Sequence, residues 1–167
     1  MEVSPCGKAV HHSDVVPTLV TVGAERRPVS DAQRPDATDA LTAVLRQRIL
    51  VIDGAMGTLI QDHGLGEADY RGSQFADHGH DLRGDSDILS LTQPDIIREI
   101  HRRYLQAGAD VVCTNSFTAS SVSQADYGLQ DHCYEVNSSA AALAREAADD
   151  VATEDWPRFV ALSLIHI

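Results

Sequence analysis

The sequence predicts an α/β fold built on a parallel sheet. Three short apolar runs, at 49–52, 109–113 and 158–161, have the composition of buried strands, and amphipathic stretches of helical period separate them. The first two runs end abruptly in polar residues. Alternation of strand, loop and helix is typical of βαβ units joined by right-handed crossovers. The pattern by itself leaves open a doubly wound sheet and a closed eight-stranded barrel.

The first third of the chain is predicted to hold a leader, a helix and a strand. Residues 1–35 carry four prolines and no sustained period, so we expect them to be disordered. A helix capped by Asp36 or Thr38 should run to Arg48. The apolar run 49–52 has no polar alternation, which predicts a strand buried on both faces.

The middle third is predicted to be a loop followed by the clearest helix. The stretch 61–87 is polar and glycine-rich, and we expect a long loop with room for one helical turn. Thr92 is the predicted cap of the helix, Pro94 lies in its first turn and Gly108 ends it. His101 is expected at the surface or boundary of this helix. Its apolar face consists of Ile96, Ile97, Ile100, Tyr104 and Leu105.

A second long helix follows the strand at 109–113. Residues 119–131 are predicted to form a loop, and residues 134–151 a helix with a stripe of mostly small apolar residues. The stripe consists of Val136, Ala140, Leu143, Ala144 and Ala147. The last predicted strand begins at Arg158.

Composition excludes several classes of function. The chain has 167 residues, with 25 acidic and 13 basic residues and a net charge of −12, which would repel nucleic acid. No signal peptide or apolar span of membrane length is present, so we expect a cytoplasmic protein with no membrane partner. Three scattered cysteines form no disulfide framework, which also favours a reducing compartment.

The residues that carry chemistry lie where the predicted strands end. The segment Asp53–Thr58 places a carboxylate beside a glycine-rich turn, and Thr114–Asn115 follow the second strand. Because ligands of parallel α/β folds bind at the carboxyl ends of the strands, these groups could hold the ammonium and carboxylate of an amino acid. The simpler interpretation, that Asp53 caps a turn, is the one that pattern alone favours. The pair His78 and His80 is likewise better explained as part of a solvated loop than as a metal site.

Four spaced motifs resemble one known family. They are Asp53-Gly54-Ala55-Met56-Gly57-Thr58, Leu91-Thr92-Gln93-Pro94-Asp95-Ile96-Ile97, Ala107-Gly108-Ala109-Asp110 through Thr114-Asn115-Ser116-Phe117, and Gln124-Ala125-Asp126-Tyr127-Gly128-Leu129. Their order and spacing are similar to those of the homocysteine-binding domain of cobalamin-dependent methionine synthases, from about residue 45 to residue 161. The resemblance implies an incomplete (β/α)8 TIM barrel over residues 36–161, comprising the first two to three βα units.

The family resemblance also implies an activity. Members transfer a methyl group from methylcobalamin, supplied by 5-methyltetrahydrofolate, to the thiolate of homocysteine held on zinc by three cysteines. The family's zinc cysteines lie in later strands, so no catalytic residue or metal ligand is expected here, and neither zinc nor cobalamin should bind. The residues expected to bind homocysteine are Asp53, Gly54, Ala55, Met56, Gly57, Thr58, Thr114 and Asn115.

Two departures from the family pattern stand out. Cys113 occupies the position before Thr114 where members commonly carry glutamate, which puts any polar contact there in doubt. Residues 162–167 differ from the family's Ala-Gly-Ser pattern and resemble a translated sequencing adaptor, so we expect a non-native tail.

Other functions are also compatible with the sequence. One is a cobalamin-independent homocysteine methyltransferase that uses betaine or S-methylmethionine, although the second and fourth motifs favour the cobalamin branch. Another is a non-catalytic binding module or a truncated chain. Because a barrel of this type needs about 250 residues, we expect the isolated chain to be inactive and prone to aggregate through an unpaired edge strand.

Overall fold

The computed structural model describes residues 36–165, which form a mixed α/β unit, mostly helical, with a small parallel sheet. Within this range the helices are α1 (Thr38–Leu45), α2 (Met56–Asp62), α3 (Glu67–Arg71), α4 (Leu89–Thr92), α5 (Pro94–Gln106), α6 (Ser121–Gln124) and α7 (Cys133–Val151), and the strands are β1 (Val111–Cys113) and β2 (Phe159–Ala161). No helix of this range is long and apolar enough to cross a membrane. The predicted leader, and the last two residues of the predicted tail, lie outside the described residues.

Strand β1 lies between two parallel neighbours. It pairs with β2 in a register that sets Val112 opposite Val160. On its other edge, Ile52 forms a single parallel bridge with Val111, and the backbone N–H of Asp53 donates to the Val111 carbonyl at 2.9 Å. The predicted alternation of parallel strands and helices is thus present, although the first strand is reduced to a bridge.

The predicted burial of the first strand on both faces is wrong. Ile49 is 87% exposed, and Val51 and Ile52 are more than half exposed. Burial of an unbroken apolar strand requires packing on both faces, and within residues 36–165 this segment is paired along one edge only.

The predicted long loop at 61–87 is attached to the core by a few buried side chains. It contains the end of α2 and all of α3, and Tyr70, Phe75 and Leu82 are buried in the main hydrophobic cluster. Its charged side chains bind its own backbone: Glu67 accepts from the N–H of Leu82 at 2.9 Å, and Arg71 donates to two carbonyls, of His78 and His80. These charged side chains therefore satisfy backbone groups of the same stretch as well as facing water.

Helices α5 and α7 cover the sheet. The stripe predicted on α7 is buried, and Ala144, Ala147 and Ala148 pack against Leu105 and Val112 in a second apolar cluster. Small side chains allow α7 to approach both α5 and β1 closely.

Two details of α5 differ from prediction. Its N-cap is Gln93, one residue after the predicted Thr92, and Pro94 occupies the first turn. His101 is fully buried rather than at the surface, because it lies one helical turn after Ile97 on the inward face. Neither of its ring nitrogens has a hydrogen-bond partner among the described residues, and burial lowers the pKa of His101 to about 4.

Three parallel segments make up the sheet of residues 36–165: the first segment, which contains Val51 and Ile52, and the strands β1 and β2. Asp110 connects the amino ends of all three. Its buried carboxylate accepts two hydrogen bonds from Arg48, both at 2.7 Å, one from the N–H of Val51 at 2.9 Å and one from the indole of Trp156 at 2.6 Å. The guanidinium of Arg158 stacks on the Trp156 ring, 3.7 Å from its centroid. These donors, Arg48 first among them, hold the pKa of Asp110 far below its usual range.

Replacing Asp110 by asparagine tests this junction. Asp110→Asn keeps the shape but leaves Arg48 without its anion, and we expect the free energy of unfolding at pH 7 to fall by on the order of 3 kcal/mol. A carboxylate with a lowered folded pKa stabilises above its unfolded pKa of about 3.9, and this contribution is lost as the pH falls below that value. Urea unfolding at several pH values measures both effects.

The matched control is Asp150→Asn, which removes an exposed carboxylate paired with Arg102. It should change stability by less than about 0.5 kcal/mol. If the loss in free energy of unfolding caused by Asp110→Asn were as large at pH 2 as at pH 7, the charge of Asp110 would not be its cause.

Candidate functional site

A cleft of about 550 Å³ opens at the carboxyl ends of the three parallel segments. Its walls come from the turn after the first segment, from the residues that follow β1, from the stretch 84–87 and from Ser163 after β2. The parallel arrangement brings these parts together, because the carboxyl ends of parallel strands share one edge of the sheet.

Most of the residues predicted to bind substrate line this cleft. They are Asp53, Gly54, Met56, Gly57, Thr114 and Asn115. The other two, Ala55 and Thr58, are solvent-exposed and do not belong to the lining. The lining also contains Ser86, Asp87, Ser116, Phe117 and Thr118, which sequence reasoning did not select.

Asp53 is half-buried and lies against the end of β1. Its Oδ2 atom accepts a hydrogen bond from the backbone N–H of Cys113 at 2.9 Å, which fixes the carboxylate at the mouth of the cleft. Burial raises the pKa of Asp53, while the Cys113 hydrogen bonds oppose that rise. Burial, reinforced by the neighbouring Asp53, raises the pKa of the Cys113 thiol to about 11.

Thr114 and Asn115 hold the wall of the cleft together. The Thr114 hydroxyl lies 2.7 Å from the Ser116 hydroxyl and accepts from the N–H of Ser163 at 2.9 Å. The Asn115 side chain donates to the carbonyl of Ser86 at 2.7 Å. Their side-chain donors are therefore engaged within the protein, and Asn115 ties the end of β1 to the stretch 84–87.

Asp87 is a second carboxylate of the cleft lining, and only a weak signal in the sequence points to it. It is 4% exposed, and its Oδ2 accepts from both the N–H and the hydroxyl of Thr118, at 2.6 and 2.7 Å. Burial raises the pKa of Asp87, and the Thr118 hydrogen bonds oppose that rise. The signal was an acidic residue directly before the apolar pair Ile88-Leu89, in a stretch interpreted as a solvated loop.

The described residues do not fit a zinc site. Between residues 36 and 165, no three His, Cys, Asp or Glu side chains cluster closely enough to hold a metal ion. Cys113 and Cys133 are both free thiols, and the raised pKa of Cys113 opposes the thiolate form that zinc requires. His78 is engaged differently, since its Nε2 lies 2.7 Å from the carbonyl oxygen of Tyr127.

Comparison with known proteins identifies the family. The family model for homocysteine S-methyltransferase matches residues 50–166. Two solved structures of the homocysteine methyltransferase MmuM from Escherichia coli, a metallated and an oxidized form, are similar to this chain with 26% and 27% identity and a TM-score of 0.57 each. Each match covers 74% of this chain and 40% of the MmuM chain. The chain belongs to the homocysteine S-methyltransferase family, and it spans less than half the length of these relatives.

The contact between Asp53 and Cys113 can be tested by thiol alkylation. In a background with Cys6→Ser and Cys133→Ser, Asp53→Asn removes the charge that disfavours the Cys113 thiolate. We expect the apparent pKa of Cys113 to fall and the rate of alkylation at pH 8 to rise roughly threefold or more.

Asp62→Asn serves as the control, because Asp62 is exposed and lies outside the cleft lining. It should leave the alkylation rate unchanged. Equal rates in the wild-type and Asp53→Asn proteins across pH 7 to 10 would show that the carboxylate does not act on this thiol.

Proposed function

We propose that this chain supplies the amino-acid-binding side of a homocysteine S-methyltransferase. The observation that carries the proposal is the position of Asp53, a half-buried carboxylate fixed at the mouth of the cleft beside a glycine-containing turn. Family membership defines homocysteine as the substrate class.

The chemistry of the cleft suits an amino acid with a short side chain. Asp53 is suited to bind the substrate ammonium, because a carboxylate paired with a cation in a partly buried site gains a charge-assisted hydrogen bond. The turn at Gly54 and Gly57 leaves room for a carboxylate to approach the backbone; a Cβ added at Gly57 would meet nothing within 4 Å. Met56 and Phe117 offer apolar contact for the methylene groups.

In the proposed reaction the homocysteine sulfur loses its proton and forms a bond to the methyl carbon, while the bond between that carbon and its donor breaks. The role of this chain is to hold the amino-acid end of the substrate, and none of the described residues is assigned to the transfer itself. We propose that zinc, cobalamin and 5-methyltetrahydrofolate are bound by other parts of the complete protein.

The cobalamin-dependent branch is the preferred assignment within the family. The motifs Leu91–Pro94 and Gln124–Leu129 support it. The second candidate is a cobalamin-independent enzyme that uses betaine or S-methylmethionine. Assays of the complete protein with methylcobalamin, betaine and S-methylmethionine as donors distinguish the branches, since turnover with methylcobalamin is expected only in the first.

The barrel and the cellular compartment belong to the same proposal. A (β/α)8 barrel is supported by the parallel order of the first segment, β1 and β2, with α5 and α7 packed beside them. The exposed Ile49, Val51 and Ile52 suit a strand that further strands would cover.

We propose a cytoplasmic protein in which this chain alone is inactive, and measurement of homocysteine methylation by the isolated chain tests its inactivity.

Asp53→Asn tests the assigned role in substrate binding. Loss of one charge-assisted hydrogen bond of about 1.5–3 kcal/mol should weaken homocysteine binding roughly 10- to 100-fold. The analogue 4-mercaptobutyrate lacks the ammonium, so its affinity should change little. Isothermal titration of both ligands against both proteins gives the comparison.

The exposed Asp62 again provides the matched control, and Asp62→Asn should bind both ligands as the wild type does. If Asp53→Asn weakened both ligands equally, Asp53 would shape the cleft rather than bind the ammonium, and the assignment would be wrong.

A further inference from the structure

Asp85 and Gln124 form a hydrogen-bonded polar pair in the interior, and Asp85 Oδ1 also accepts from the backbone N–H of Asp87 at 3.3 Å. Their side chains are 2% and 1% exposed, and the Gln124 amide donates from Nε2 to Asp85 Oδ1 at 3.1 Å. The other oxygen of each group, Asp85 Oδ2 and Gln124 Oε1, is also buried and has no hydrogen-bond donor among the described residues. Two buried oxygen atoms, one on each of these hydrogen-bonded side chains, therefore lack a hydrogen-bond donor within the described part of the chain.

Buried acceptors without donors are costly, and a carboxylate that keeps its charge in such a place is costlier still. A proton on Asp85 Oδ2 would remove the charge and give both unsatisfied oxygens a hydrogen bond. The protonated oxygen donates to Gln124 Oε1 while Gln124 Nε2 donates to Asp85 Oδ1, which closes the two-hydrogen-bond ring of a carboxylic acid and a primary amide.

We propose that Asp85 is a neutral carboxylic acid at pH 7, paired with Gln124, and that its ionisation is a pH-sensitive lock on one wall of the cleft. The pair joins α6 to the turn that carries Ser86 and Asp87, both of which line the cleft. Asp85 is a positioning residue in this arrangement.

Burial and the neighbouring charge favour the neutral form of Asp85, and they outweigh the opposing hydrogen bonds that it accepts from Gln124 and the backbone. Asp87 on the same turn, Tyr127 after α6 and Cys133 at the start of α7 act on it electrostatically, and none of them is a cation at neutral pH. No ion pair with an Arg, Lys or His of residues 36–165 involves Asp85. Burial raises the pKa of Asp85 to about 6, and a hydrogen bond made only by the protonated form raises it further.

Asp87 differs from Asp85 in its partners. It accepts two hydrogen bonds from Thr118, which stabilise its charged form. In this proposal Asp87 is the ionised acid at pH 7 and Asp85 is the protonated one. Ionisation of Asp85 would set a second negative charge beside Asp87 and break the bond to Gln124, and the wall formed by residues 84–87 would loosen.

Asp85→Asn tests the proposal in the full chain. Asparagine mimics the protonated acid, because its Nδ2 donates to Gln124 Oε1 and its Oδ1 accepts from Gln124 Nε2. We expect the variant to melt at the wild-type temperature or above it at pH 7.

The pH dependence adds a second readout. A raised folded pKa gives wild-type stability that is present below the unfolded pKa of about 3.9 and is lost as the pH rises through the folded pKa. The melting temperature of Asp85→Asn relative to the wild type should therefore climb from pH 4 and level off above pH 7. Infrared spectroscopy of the wild type at pH 7 should contain the carbonyl band of a protonated acid, which Asp85→Asn removes.

Asp87→Asn is the matched control, since Asp87 accepts two hydrogen bonds from Thr118 and makes none to Gln124, and this variant should keep the protonated-acid band. If Asp85→Asn melted below the wild type at pH 7, or if the protonated-acid band were missing from the wild type, Asp85 would be ionised and bound by a water molecule or a cation. Either result would overturn the proposal.

Discussion

The carboxylate of Asp110 is the interaction on which the rest of the fold depends. A parallel pair of strands has no turn to fix its register, and here three separate segments must be aligned by contacts between distant parts of the chain. Asp110 binds Arg48 before the first segment, Val51 within it and Trp156 before β2, while its own backbone carbonyl accepts from Phe159 at 2.8 Å. One buried anion therefore sets the relative position of all three amino ends.

Because Asp110 aligns the amino ends of the three segments, it also determines which residues become neighbours at their carboxyl ends. With Val111 opposite both Ile52 and Phe159, Asp53 and Cys113 become neighbours, and Thr114 reaches Ala161 through a backbone hydrogen bond of 2.9 Å. The Asp110 junction and the cleft thus lie at opposite ends of the same sheet, the arrangement in which parallel α/β folds generally separate stability from ligand binding. The cleft is further held by side chains that bind backbone atoms, such as Asn115 on Ser86.

Hydrophobic period and helix-boundary signals predicted much of the fold. The stripe on α7, the strand before Thr114 and the end of α5 near Gly108 follow from spacing alone, because helical and strand periods fix which residues share a face. The burial of Tyr70, Phe75 and Leu82 in the stretch 61–87 was not predicted, for a physical reason. Charged side chains there bind the backbone of the same stretch, and a sequence does not distinguish that use of polarity from full exposure to water.

The sequence by itself determined the family, the order of parallel segments and helices, and the placement of Asp53 and Thr114–Asn115 at strand ends, because each depends on local motifs and periods. Tertiary structure alone decided that Asp85 and Asp87 are buried, that Asn115 ties two walls together and that Cys113 lies against Asp53. These facts depend on contacts between residues 29 to 60 positions apart, and such contacts leave no periodic trace in a single sequence.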